Sequence, residues 1–164
     1  MKRQKGFSLI ELLIVVAIIL IIAAIAIPNL LKSRMSAQES SAAGTLRTYN
    51  TAMVSYYTQC PTIGYPADLT KLGPGAGDCT GANLVDNVLG GAATSVNKSG
   101  YTFTYAVVNS GGLNGAYTIN ANPLVCGSSG IKTFYTDQTA VIRGPQSNTS
   151  TSCTPATGAN SAIQ

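Results

Sequence analysis

Between Leu12 and Ile27 the chain carries no polar side chain, and the run ends at Pro28. Counted from Phe7 to Ile27, the apolar stretch is 21 residues long. As a helix it spans roughly 31 Å, about one bilayer core. Lys2, Arg3, Lys5 and the starting amine precede it, and only Lys32 and Arg34 follow closely. By the positive-inside rule the short end is cytoplasmic and the body of the protein lies outside. A secretory signal peptide would find an A-x-A-like site at Ala24-Ile25-Ala26, but its apolar region usually runs only about 7–15 residues. A plain membrane anchor explains the length and the flanking charges, yet leaves Glu11 without a purpose. That carboxylate stands one helical turn into the apolar segment, where an unpaired charge costs about 2.5 kcal/mol or more near the bilayer centre. Cutting the chain after Gly6 gives Phe7 a free amine. That cation of one subunit can neutralise Glu11 of a neighbour once both leave lipid for a packed fibre.

The segment Lys5-Gly6-Phe7-Ser8-Leu9-Ile10-Glu11-Leu12-Leu13-Ile14-Val15-Val16 resembles the class III signal of type IV prepilins and type II secretion pseudopilins. The resemblance covers about thirty residues of the N-terminus. It implies a leader, residues 1–6, removed after Gly6 by a prepilin peptidase that also methylates Phe7. Glu11 becomes the carboxylate that sets register on assembly, and Pro28 the point where the helix bends or melts. It implies a bacterial inner-membrane precursor that spans once, an assembly platform that extracts it, and polymerisation with copies of itself into an extracellular filament. The expected function is therefore a structural subunit of a type IV pilus, with a pseudopilin of a type II secretion system as the alternative. Filaments of these kinds serve adhesion, twitching motility, DNA uptake or protein secretion.

Past Pro28 the apolar positions become one-sided. Leu31, Met35, Ala42, Leu46, Tyr49, Met53 and Tyr56 recur at helical spacing, with Ser33, Arg34, Gln38, Glu39, Ser40, Ser41, Arg47 and Thr48 between them as a polar face. The spacing predicts a helix over 7–58, its first part, 7–27, forming the transmembrane segment or filament core. Gln59-Cys60-Pro61 ends it, and Pro28 predicts a kink. The stripe is too short for an independent zipper and is expected to pack on the protein's own sheet, with Tyr49, Tyr56 and Tyr57 in that packing.

From residue 59 to 164 the composition shifts to Gly, Pro, Asn, Ser and Thr around short apolar runs, predicting one globular head. A short helix is expected at 66–72. Strands are expected at 101–109 and 117–122, and a second hairpin at 131–136 and 139–143 around a turn at Asp137-Gln138. The predicted fold class is α+β, a long N-terminal helix on a small antiparallel sheet, as the pilin resemblance also implies. The four cysteines, Cys60, Cys79, Cys126 and Cys153, form no C-x-x-C pair and have no His beside them, so disulfides fit better than zinc. Of the three possible pairings, Cys60–Cys79 and Cys126–Cys153 is favoured, because each closes a Gly/Ser/Thr-rich loop.

Composition excludes more than it selects. Without the first six residues, seven Lys/Arg face six Asp/Glu, which is no footprint for nucleic acid. The absence of His, of G-x-S-x-G and of paired carboxylates argues against an enzyme. Asp68, Asp78, Asp86 and Asp137 are too scattered for a calcium loop, so neither metal nor cofactor is expected. The tripeptides at Asn97 and Asn148 fit the N-glycosylation pattern but are read as chance. The segment 134–143 is similar to one found in many pilin-like proteins and is read as an ordinary strand–turn–strand.

Overall fold

The computed structural model describes residues 7–144, 153–159 and 161–163. Gly6, the leader charges and the Asn148 tripeptide lie outside them. The chain divides into two compact units, Met1–Arg34 and Met35–Gln164. Helix α1, Leu9–Gln59, supplies elements to both, with Pro28 inside it. Pro28 has no N–H, so the carbonyl of Ala24 lacks its helical donor.

In the second unit three threonine hydroxyls of α1 are satisfied within the helix, by carbonyls of the preceding turn. Thr45 Oγ1 donates to Ser41 O at 3.0 Å, Thr48 Oγ1 to Gly44 O at 3.3 Å, and Thr51 Oγ1 to Arg47 O at 3.1 Å. The helix buries Ala42, Leu46, Tyr49, Ala52, Met53 and Tyr56, most of the predicted stripe. Leu31 and Tyr57 are exposed, Tyr57 against the expectation that it packs on the sheet, Met35 is only partly covered, and Glu39, assigned to the polar face by spacing, is buried.

Four antiparallel strands form a meander in the order β1-β2-β3-β4: Ser95–Lys98, Tyr101–Ser110, Leu113–Pro123 and Phe134–Asp137. Phe103 opposes Ala121, and Tyr105 opposes Ile119. All four are buried, with Tyr117 and Phe134, in one core with the helix stripe. Both tight hairpins have two-residue loops. Ser99-Gly100 (φ 51° and 79°) links β1 to β2, and Gly111-Gly112 (φ 63° and 90°) links β2 to β3. Two successive positive φ values are what a type I′ turn requires, and its twist suits the strands it joins.

Four points differ from what the sequence predicts. Strand β3 starts at Leu113, directly after Gly111-Gly112, because Leu113 and Asn114 pair with Ser110 and Asn109, and Ala116 pairs with Val108 across a bulge at Val108/Asn109. β1, with Val96 as its one buried residue, has too little alternation to be seen in the sequence. The second hairpin is cut short: Ala140 takes a left-handed φ of 58°, so of the segment 139–143 only Arg143 meets β4, at Tyr135. Arg143 bridges in turn to Ala162. The predicted short helix at 66–72 is a single 3-10 turn, Leu69–Leu72, capped by Asp68.

Residues 60–94 hold little regular structure and are fixed by buried side chains and tyrosine hydroxyls. Leu69, Leu72, Val85 and Leu89 enter the core. Tyr49 OH donates to Leu89 O at 2.9 Å, Tyr56 OH to Cys79 O at 2.7 Å, and Tyr105 OH to Pro66 O at 2.6 Å. Burial pushes the phenols of Tyr49 and Tyr105 far up from their ordinary pKa, so the hydroxyls remain donors. Disulfides join Cys60 to Cys79 and Cys126 to Cys153.

Candidate functional site

Ser8 precedes the first residue of α1, and Glu11 stands three residues on. This is the spacing of a capping box. Glu11 Oε2 accepts the backbone N–H of Ser8 at 2.9 Å, and Ser8 O accepts Leu12 N–H at 3.2 Å. One carboxylate thereby satisfies an otherwise orphan donor and sits at the positive end of the helix dipole. Sequence reasoning read Glu11 as waiting for an intermolecular partner and missed its local role. The signal was present as Ser8-Leu9-Ile10-Glu11.

Around this one polar feature, every large apolar side chain from Phe7 to Leu31 is exposed, Phe7 at 77%. Monomeric soluble proteins rarely expose apolar surface on this scale. The helix is long and apolar enough to cross a membrane. Among the described residues, the apolar surface from Phe7 to Leu31 thus carries one anion, Glu11, near its start.

The head supplies a second constellation. Glu39, buried on α1, accepts the backbone N–H groups of Ile131 at 3.0 Å and Lys132 at 3.2 Å, and pairs with Lys132 Nζ at 3.2 Å. It ties the segment before β4 to the helix. Beside it, Arg47, Lys132, Phe134 and Ile163 line an open-mouthed groove of about 380 Å³. Opposite charges also meet at Lys98–Asp86 and Arg143–Asp137, both at 3.2 Å. Among the described residues no group of three or more His, Cys, Asp or Glu is placed to hold a metal ion.

Residues 1–27 match the family model of the prokaryotic N-terminal methylation motif. Three characterised proteins are similar. The type IV major pilin protein PilA of Myxococcus xanthus is 38% identical over 96 residues, covering 51% of this chain and 44% of that one. The type IV wide pilus major component PilA4 of Thermus thermophilus is 60% identical over 40 residues, covering 24% and 30%. Fimbrial protein Q of Moraxella bovis is 37% identical over 99 residues, covering 57% and 63%. The match thus spans less than half the length of the first two relatives. No solved structure matches significantly.

The chain carries a methylation motif at its N-terminus, an exposed apolar helix behind it and an α+β head. The motif and the pilin relatives together support a type IV pilin family.

Proposed function

We propose that the chain is a structural subunit of a type IV pilus, not an enzyme. A prepilin peptidase removes residues 1–6 after Gly6 and methylates Phe7. The segment 7–27 holds the precursor in the inner membrane as a single span, and the assembly platform draws it into the fibre. There the segment becomes the filament core, while the head, residues 59–164, faces outside. The observation that carries this reading is the lone Glu11 at the start of a helix whose large apolar side chains up to Leu31 are all exposed. Subunit-on-subunit packing covers that surface, and a Phe7 amine from a neighbour neutralises the carboxylate. The relatives' printed names, two pilus subunits and one fimbrial protein, favour the pilus over the secretion pseudopilus.

The test is the mass of the N-terminal peptide from sheared cell-surface material. Expected is a peptide that starts at methylated Phe7. A chain that keeps Met1 in the membrane, or one that starts near Ile27, would refute the proposal. Glu11→Ala is expected to leave cleavage intact and to lower filament yield by about tenfold or more, since it strands the Phe7 ammonium in an apolar core. Wild-type filament yield from that variant would rule out charge neutralisation at this site.

A further inference from the structure

Ten charged residues lie between Met35 and Gln164. Six of them are consumed in the three ion pairs Lys98–Asp86, Lys132–Glu39 and Arg143–Asp137. The other four, Arg47, Asp68, Lys71 and Asp78, have no ion-pair partner among the described residues. Their placement is uneven. Arg47 stands by itself in the groove beside the Glu39–Lys132 pair, over a floor that includes Phe134 and Ile163. Asp68, Lys71 and Asp78 cluster on the segment after Cys60, and Asp78 is the fully exposed carboxylate there.

Asp78 is held in place before any partner arrives. Its Oδ1 accepts Thr80 N–H at 2.8 Å, Thr80 Oγ1 at 2.6 Å and Gly81 N–H at 3.3 Å, and among the described residues these bonds all fall on Oδ1. The hydrogen bonds from Thr80 hold its pKa below the usual carboxylate value. Asp78 also lies against the last turn of α1, where Gln59 Nε2 donates to Gly77 O and Tyr56 OH to Cys79 O. Arg47 is twelve residues before Gln59, roughly 18 Å along the helix. The two charges cannot meet within one chain.

We propose that the groove around Arg47 receives the Asp78 corner of a second copy of this chain. Groove and corner are different surfaces, so the contact is heterologous and repeats from copy to copy without closing by itself, as a helical fibre requires. In a head with so few unpaired charges, one complementary pair fixes which neighbour docks and in what register, more than it adds affinity. The inference rests on the filament reading and adds a contact between heads to it.

Two measurements on the full-length chain test it. The first is the sheared-fibre yield of R47E, D78R and the double charge swap. Each single reversal is expected to lower yield about fivefold, and the swap to restore most of it. A swap no better than the singles overturns the proposal, as does loss with R47E but not D78R, which would mean that the groove takes some other partner. D78R also disturbs the turn at Thr80, so a second measurement leaves Asp78 native. Fibres grown from mixed isotope-labelled and unlabelled R47K chains are treated with a carbodiimide. The expected product is a peptide joining position 47 of one copy to Asp78 of another, and its absence counts against the contact. If wild-type cells make no fibre at all, the filament reading fails. The same cross-link sought in detergent-extracted full-length chains then decides the head contact separately.

Discussion

Glu39 shows how one residue can be misplaced by periodicity and still decide the packing around it. Its position between Gln38 and Ser40 reads as solvent-facing, yet its carboxylate takes two backbone N–H groups and one ammonium from the segment 131–132. Removing it takes one acceptor from two backbone N–H groups and the counterion from the Lys132 ammonium. Glu39→Ala is expected to cost about 2 kcal/mol, and Glu39→Gln less, because the amide oxygen can still accept. The urea midpoint of the full chain in detergent measures both. Asp137 makes a second residue-scale case. Burial works to raise its pKa, but the hydrogen bonds from Thr139 and the Arg143 guanidinium prevail and hold it below the ordinary value. A depressed carboxylate contributes stability that is complete above its unfolded pKa and is lost as pH falls through the folded one. The urea midpoint is therefore expected to stay level down to about pH 4 and then decline, with a shallower decline in Asp137→Asn.

At the scale of elements, helix and sheet are joined by hydrophobic burial and by a polar pin at Asn50. Asn50, facing the sheet from α1, accepts Tyr117 OH from β3 at 3.1 Å and Thr136 Oγ1 from β4 at 3.0 Å, and donates to Ala140 O at 2.9 Å. Apolar contacts tolerate sliding, whereas this set of bonds fits one register of helix on sheet. Asn50→Ala leaves two buried hydroxyls and a carbonyl short of partners. It is expected to destabilise the head by about 2–4 kcal/mol, seen as a lowered urea midpoint with slope unchanged. No change in midpoint would mean that packing alone sets the register.

For the whole molecule, the sheet is small and much of the head is irregular, so covalent closure matters. The disulfides close segments of 19 and 27 residues. Loop-closure entropy values them at about 3.2 and 3.5 kcal/mol. Ser substitution of Cys126 and Cys153 is expected to be the more damaging, because Cys153 ties the tail, where Thr154 O accepts Thr133 Oγ1, back to the head. Proteolysis of the full chain should then clip the tail of that variant first. Equal resistance in both double-Ser variants would contradict this ordering.

What the sequence by itself determined follows from patterns that need no partner in space. Twenty-one apolar residues with one carboxylate, the residues around Gly6, the 3.6 periodicity ending at Tyr56 and the Tyr101–Asn109 alternation are local, and local chemistry makes them helix or strand. Only the tertiary structure decided the burial of Glu39, the triple bonding of Asn50, the pairing of Leu113–Ala116 and the failure of 139–143 to continue as a strand. Each depends on what arrives from a distant part of the chain. A polar side chain gives no sign in sequence of whether water or a buried backbone donor will satisfy it. The physical reason is that hydrophobic patterning acts over one turn or one strand, whereas the satisfaction of a buried polar group is settled only when separated segments close around it.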